Sequence, residues 1–275
     1  MAAPALALAL AACAAVRPRR AVRAPVATAR GEYLPGEAAY SSLARRRPQR
    51  CGWKAAPTVA VLVLFGKNEA RLRASIRRTA GLGKVLHASG ECTASAPPAW
   101  WRGACAGGEC ACLRCCRGFG GANNSRVRRE MVDRLAAGFR AVLARFPDVD
   151  YVLKAEDDTT VDGQALAALL ARRPLCDGTV YGNCHQFAHE RRPYCHGGSG
   201  YLLDARVLLP RLLARTMPAG PEDVAFAAHV LDAGGRLANA CGLNPACHRG
   251  ADARLPPGPP PACARFGAAT RHRCS

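Results

Sequence analysis

The feature that most constrains the fold is an uninterrupted apolar run at residues 58–65 (TVAVLVLF), bounded by Pro57 and Gly66. The run is rich in Val and lacks the alternation of apolar and polar residues that marks a half-exposed strand. A strand of this kind is buried on both faces, as in parallel sheets that are covered by helices on each side. The run therefore predicts one strand of a parallel sheet.

Downstream, apolar spacing alternates between the helical and the extended pattern. Helices are predicted at residues 68–79, 125–146, 163–170 and 222–233, and strands at 84–88, 150–155 and 179–181. Residues 201–213 begin as an apolar run and turn helical. The order of strands and helices predicts an α/β fold, with a mainly parallel central sheet flanked by helices. A chain of 275 residues suffices for one sizeable domain of this kind.

The ends of the chain differ in composition from its centre. Residues 1–16 are almost wholly apolar and are followed by an Arg-rich stretch, which predicts a signal peptide or a short signal-anchor. The alternative is an organelle transit peptide, because no basic residue precedes the apolar run and no acid occurs before Glu32. Residues 17–56 are interpreted as an Arg- and Pro-rich stem or linker. The domain is placed at 57–250, with a Cys-rich insertion at 92–121 and a Pro-rich, Cys-containing tail at 251–275.

The chain contains 15 Cys, and this number favours the secretory route, in which cysteines pair as disulfides. The cluster at residues 105–116 could instead bind zinc. Its spacing is irregular and no His lies nearby, so disulfides are preferred. Asn123 begins an N-glycosylation acceptor, which has meaning only in the secretory pathway.

The formal charge of +19 raises the question of nucleic acid. No zinc-finger spacing, RNP-like aromatic motif or basic heptad region accompanies the charge, so nucleic acid is not the expected partner. A basic surface without a specific binding role, or a preference for anionic substrates, explains the positive charge instead.

An acidic cluster ends the predicted strand 150–155, in the sequence KAEDD at residues 154–158. Ligands of open α/β sheets bind beyond the carboxyl ends of the strands. Adjacent carboxylates repel one another unless a positive charge lies between them, and a divalent cation with oxygen ligands supplies one. Glu156 and Asp158 would face one ion or ligand, with Asp157 turned aside. The alternative is a solvated acidic loop.

Four segments of the chain form an ordered set of motifs. They are EARLRASIRRTAG at 69–81, FPDVDYVLKAEDDTTVDGQALAALL at 146–170, PYCHGGSGYLLD at 193–204 and PEDV at 221–224. In this order they resemble motifs of the beta-1,3-galactosyltransferase and fringe superfamily, whose members have the GT-A fold of glycosyltransferases. The chain departs from the family pattern at Glu156, where Asp is usual, and at Ala80, where Trp is usual. The similarity covers about residues 58–250.

This resemblance implies an inverting, metal-dependent transfer of a hexosyl group, galactose or N-acetylglucosamine, from a UDP-sugar to a glycan acceptor. The expected linkage is β1,3 and the expected location is the Golgi lumen, with the protein either free or anchored in the membrane through its N-terminus. A non-catalytic lumenal relative that binds carbohydrate or nucleotide-sugar is the alternative. A Cys-rich zinc or nucleic-acid module is a third, less favoured reading.

The resemblance also assigns roles to residues. Mn²⁺ or another divalent cation would supply Lewis-acid chemistry at the departing diphosphate. The general base would be a carboxylate, and Cys195 would form a disulfide. The implied metal ligands are Asp158, His248 and Glu156; the implied nucleotide-sugar contacts are Glu156, Asp157, Arg73, Arg77, Gly197 and Gly198; the implied catalytic residues are Asp223 and, second, Glu222.

Overall fold

The fold is described from a computed structural model, which places residues 32–34, 57–65, 69–89, 110–113, 125–171, 178–185, 192–240, 243–244 and 270–272. The strands are β1 Glu32–Leu34, β2 Val59–Leu64, β3 Val85–Ser89, β4 Cys110–Cys112, β5 Tyr151–Glu156, β6 Thr159–Val161, β7 Thr179–Gly182, β8 Cys184–His185, β9 Tyr194–Cys195, β10 Tyr201–Asp204, β11 Arg236–Asn239, β12 Leu243–Asn244 and β13 Thr270–His272. The helices are α1 Glu69–Thr79, α2 Ser125–Arg145, α3 Gly163–Leu170, α4 Leu208–Leu213 and α5 Glu222–Asp232.

Eight strands form the central sheet, in the order β1-β11-β7-β10-β5-β2-β3-β4. All neighbouring pairs are parallel except the two that involve β10, which runs antiparallel to both β5 and β7. The prediction of an α/β fold with a mainly parallel central sheet is therefore confirmed. Two smaller sheets, β12-β13-β6 and β8-β9, complete the described strands.

Strand β2 is buried on both faces, as its composition predicts. One set of its side chains packs with α2 and α5, and the alternate set packs with α3 on the other side of the sheet. The first set is Ala60, Leu62 and Leu64, and the second is Val61 and Val63. Because successive side chains of a strand point to opposite faces, a strand in this position must be apolar throughout.

The reversed strand β10 determines which residues meet at the carboxyl edge of the sheet. Its first residue, Tyr201, pairs with Lys154 near the end of β5 and with Gly182 at the end of β7. The 3₁₀ turn Gly197–Ser199 precedes it, so this glycine-rich turn lies at the same edge as the acidic cluster. Gly200 joins the turn to β10 with a φ of 77°.

A disulfide joins Cys184 of β8 to Cys195 of β9, two residues that face each other in the strand register. The predicted bridge of Cys195 is thus confirmed, with Cys184 as its partner. Cys110 of β4 is disulfide-bonded as well, in agreement with the disulfide interpretation of the Cys-rich segment. Asn123 and four other cysteines of that segment lie outside the described residues; the cysteines are Cys92, Cys105, Cys115 and Cys116.

Several short strands were not predicted from the sequence. Two of them, β1 and β13, lie beyond the predicted domain limits of 57–250 and extend the central sheet and the β6 sheet. A strand of two to four residues spans too few positions to show a periodicity, so its pairing partner decides its conformation. No helix among the described residues has the length and apolarity needed to cross a membrane.

Replacement of Gly200 by Ala is expected to destabilise the protein more than replacement of Gly81 by Ala. Both glycines have positive φ, at 77° and 88°, which costs an L-residue about 1–2 kcal/mol. Only at Gly200 does an added Cβ also collide with backbone, because the carbonyl oxygen of Lys154 lies 2.7 Å away, whereas nothing lies within 4 Å at Gly81. In urea unfolding, Gly200→Ala should be less stable than Gly81→Ala by roughly 1 kcal/mol or more. Equal losses of stability in the two variants would contradict the close approach of the Lys154 carbonyl oxygen to Gly200.

Candidate functional site

The site is organised around Lys154, a lysine whose side chain is completely buried within β5. Its Nζ contacts Oε1 of Glu156 at the end of the same strand and lies 2.9 Å from Oε1 of Glu222 in α5. The ammonium group also lies 5.3 Å from the centroid of the Tyr201 ring. A buried ammonium is tolerated only where opposite charges and polar partners surround it, and here two carboxylates do so.

The two acidic residues at the start of α5 have different contacts and different exposure. The side chain of Glu222 is 4% exposed and turns inward, where it meets Lys154 and accepts a hydrogen bond from the Tyr201 hydroxyl at 3.5 Å. Asp223 is only partly buried, and its Oδ2 accepts a hydrogen bond of 2.9 Å from the Gly197 N–H. The first carboxylate is therefore part of a buried ion pair, and the second lies at the edge of the glycine-rich turn.

A side chain at position 197 would displace the carboxylate of Asp223. A Cβ on Gly197 would lie 2.3 Å from Oδ1 of Asp223 and 3.0 Å from Nζ of Lys154. The absence of a Cβ lets the backbone N–H approach the carboxylate closely. Gly197 thereby fixes the orientation of Asp223.

The acidic turn lies against both the glycine-rich turn and helix α1. Thr159 links it to the first, because its hydroxyl donates to the Gly198 carbonyl at 3.0 Å and accepts from the Glu156 N–H at 3.2 Å. Asp157 links it to the second: its Oδ1 lies 3.7 Å from Nη1 of Arg71, and its carbonyl accepts from Arg78.

The three carboxylates of the turn differ in exposure. The side chain of Asp157 is 11% exposed and that of Glu156 is 29% exposed, whereas Asp158 is half-buried in the turn between β5 and β6. Glu156 and Asp157 lie next to cationic side chains of the protein itself. Asp157 lies against α1, where Arg71 and Arg78 contact it, and Glu156 lies against Lys154. A common ion for Glu156 and Asp158 stays a prediction.

Burial and mutual repulsion raise the pKa values of the carboxyl groups in this cluster. Burial, reinforced by Glu222, raises the pKa of Glu156 to about 7 against the opposing effects of Lys154 and Arg134. Burial likewise raises the pKa of Asp223 to about 6, although Lys154 and the Gly197 N–H oppose the shift. Burial alone would lower the pKa of Lys154, but the carboxylates raise it well above its usual value, so Lys154 stays charged.

The donor chemistry of the acidic turn fits a hard divalent cation, because carboxylate oxygens are the ligands that such ions prefer. Asp158 and Glu156 are the described residues that would supply them. Within the described part of the chain, no group of three or more His, Cys, Asp or Glu side chains is gathered in a way that could hold a metal ion. His248, the third implied ligand, lies outside the described residues.

The structure brings most of the sequence-predicted site residues together at one edge of the sheet. They are Glu156, Asp157, Asp158, Gly197, Gly198, Glu222 and Asp223. Arg73 lies elsewhere on α1, where it pairs with Glu69 four residues earlier, and Arg77 is exposed on the same helix.

Sequence reasoning missed four residues of the site: Lys154, Thr159 and Tyr201, which contact its carboxylates or turns, and the buried Arg134 of α2, whose charge acts on Glu156. For Lys154 there was a signal, namely a charged residue in an otherwise apolar strand whose neighbours are all buried. A charge in that position requires a buried counter-charge. Thr159, Tyr201 and Arg134 gave no comparable signal.

Comparison with known proteins yields one informative sequence match. No family model matches the chain. Human chondroitin sulfate glucuronyltransferase is 39% identical over 64 residues, which amount to 22% of this chain and 8% of that protein. The chain thus spans less than a tenth of the relative's length. The match supports a relationship to the glycosyltransferases and does not single out the beta-1,3-galactosyltransferase and fringe group among them.

A solved structure, of a glycosyltransferase involved in the glycosylation of the major capsid of PBCV-1, aligns with 57% of this chain and 66% of its own, at 8% identity and a TM-score of 0.33.

Removal of the buried ammonium is expected to destabilise the fold strongly. Lys154→Met leaves Glu222 buried without its cation, which typically costs about 3–5 kcal/mol. The double variant Lys154→Met/Glu222→Gln removes that uncompensated charge and should recover part of the loss. The measurement is the free energy of unfolding in urea for both variants and for Glu222→Gln alone. A double variant no more stable than Lys154→Met would show that the two side chains are not coupled.

Proposed function

We propose that the protein is an inverting, metal-dependent glycosyltransferase that moves a hexosyl group from a UDP-sugar to a hydroxyl of a glycan acceptor, in a β1,3 linkage. The observation that supports this most strongly is the position of Asp223. Its partly buried carboxylate is oriented by Gly197 and lies at the carboxyl edge of the sheet, beside the turn that carries Asp158. An acceptor-activating base and a donor-binding acidic turn would thereby share one edge.

Within this proposal, Asp223 rather than Glu222 is the general base. Glu222 is committed to Lys154 and Tyr201, whereas Asp223 uses Oδ2 for the Gly197 N–H and presents a second carboxylate oxygen. Asp223 would take the proton of the acceptor hydroxyl as its oxygen attacks the anomeric carbon. The bond from that carbon to the diphosphate oxygen breaks, and the diphosphate leaves with the electron pair. A pKa of about 6 leaves Asp223 largely ionised at neutral pH while making it more basic than an ordinary Asp.

Asp158 and Glu156, together with His248, would hold the divalent cation, Mn²⁺ in the first instance. When bound, such an ion supplies Lewis-acid stabilisation of the charge that develops on the departing diphosphate. Asp157, held by α1, is proposed to contact the nucleotide rather than the ion. Arg73 and Arg77 are also proposed to contact the nucleotide.

The acceptor is proposed to be a glycan of the secretory pathway, in the Golgi lumen, with the N-terminal segment serving for targeting or anchoring. The disulfides of Cys184 with Cys195 and of Cys110 are in keeping with that compartment. The donor is proposed to be UDP-galactose or UDP-N-acetylglucosamine. The name of the human relative adds UDP-glucuronic acid to the donors worth testing.

A panel of UDP-sugars is expected to contain one donor that the purified, oxidised protein hydrolyses or transfers in the presence of Mn²⁺. Chelator should abolish this turnover, and Asp158→Ala should lower it at least about 100-fold, since a metal-binding oxygen is lost. Asp162→Asn, which alters an exposed carboxylate that caps α3, serves as the matched control and should keep the rate. Binding of UDP without turnover of any donor would favour a non-catalytic relative instead.

Asp223→Asn is expected to lower kcat about 10²–10⁴-fold, because the amide cannot accept the acceptor's proton. The KM for the donor should change little, since the fold of the acidic turn is untouched. In the wild type, kcat/KM should fall as the pH drops through about 6, where Asp223 takes up a proton and is lost as a base. A full rate in Asp223→Asn, or an acidic limb near the ordinary Asp value, would remove Asp223 from this role.

A further inference from the structure

Helix α1 carries an unusual amount of positive charge next to the candidate site. Four of its eleven residues are Arg, at positions 71, 73, 77 and 78, and its one acid is Glu69. The helix packs against the sheet through Leu72, Ser75 and Thr79. The arginines therefore lie outside this buried face.

The four arginines do not lie on one side of the helix. At about 100° per residue, Arg71 and Arg78 are seven positions apart and share one flank of the buried face, whereas Arg73 and Arg77 lie on the exposed side away from it. The contacts follow this division. Arg71 and Arg78 both reach Asp157, and Arg73 instead pairs with Glu69 within the helix, at 2.8 Å. The arginines that border the acidic turn are thus not those that the sequence motif singles out.

The side chains of Arg71 and Arg78 converge. Their Cα atoms are about 10 Å apart along the helix, and both guanidinium groups nevertheless contact Asp157, one at the carboxylate and the other at the backbone carbonyl. Asp157 is buried, with 11% of its side chain exposed, and so acts as an anchor for both. The side chain of Arg71 remains 54% exposed, and Arg78 is half-buried.

Two converging guanidinium groups have a defined ligand chemistry. Each is planar, permanently charged and able to donate two parallel hydrogen bonds to the oxygens of a phosphate. The 3.7 Å separation of Arg71 from Asp157 exceeds hydrogen-bond distance, so this contact is an electrostatic one. An exposed ion pair of that kind is weak and can rearrange around a stronger anion.

We propose that Arg71 and Arg78 form the diphosphate-binding edge of the donor site, with Asp157 as the anchor that keeps them at the acidic turn. The ligand is the diphosphate of a nucleotide-sugar or of the nucleotide product. The assignment rests on the proposed function for the identity of that ligand. It adds a pair of protein cations to the metal ion as a source of positive charge at the leaving group.

Calorimetric titration with uridine, UDP and inorganic pyrophosphate tests the assignment, in low-salt buffer that contains EDTA, so that only protein cations contribute. Arg71→Gln is the principal variant. Arg71→Lys retains the positive charge but lacks the guanidinium group that donates two parallel hydrogen bonds. Arg145→Gln is the matched control, since it removes the same exposed group from the last turn of α2, which precedes β5 and therefore lies at the amino edge of the sheet. Arg71→Gln should weaken UDP and pyrophosphate about tenfold or more, with Arg71→Lys in between.

Arg71→Gln should leave the affinity for uridine unaltered, and Arg145→Gln should leave all three affinities within about twofold. Equal effects of Arg71→Gln and Arg145→Gln on UDP binding would overturn the assignment. So would UDP binding that is no weaker in Arg71→Gln than in the wild type. Failure of both UDP and pyrophosphate to bind in EDTA would overturn it too. The UDP-sugar panel with Mn²⁺ still decides the proposed function in those cases. Conversely, pyrophosphate binding that depends on Arg71, with no turnover of any UDP-sugar, would uphold the anion site and reject the transferase.

Discussion

The buried ammonium of Lys154 is the interaction on which the rest of the site depends. It draws together Glu156 from the end of β5 and Glu222 from the start of α5, two segments that are 66 residues apart in sequence. A charge of this kind has no water to stabilise it, so the carboxylates must be where they are for the fold to be stable. That requirement places Asp223, the neighbour of Glu222, at a fixed position beside the glycine-rich turn.

The reversed direction of β10 supplies the second constraint. In an all-parallel sheet, the turn that precedes a strand would lie at the amino edge, far from the acidic cluster. Because β10 runs antiparallel to β5, its first residue pairs with Lys154, and the turn before it reaches the carboxyl edge. The close approach of that turn to β5 then demands glycine at position 200, where the Lys154 carbonyl leaves no room for a Cβ.

The longer elements could be predicted because each has enough residues to show a period. Helix α3 and strand β2 follow directly from apolar spacing, and the two-sided burial of β2 follows from its Val content. The position of the acidic cluster at a strand end was also predictable. The reversal of β10 was not, since strand direction depends on pairing between distant segments. Nor was the inward turn of Glu222, which follows from a partner 68 residues earlier.

Charge balance relates these features to the chemistry that the site can perform. The turn and α5 bring five carboxylates to one edge, and within the described part of the chain Lys154, Arg71, Arg78 and Arg134 act on these carboxylates. A nucleotide diphosphate adds further negative charge, so it can bind only where cations outweigh the local carboxylates. Lys154 is enclosed by Glu156 and Glu222 and cannot reach a ligand. Among the described residues, the proposed sources of positive charge for a diphosphate are therefore the flank of α1 and an ion at Asp158.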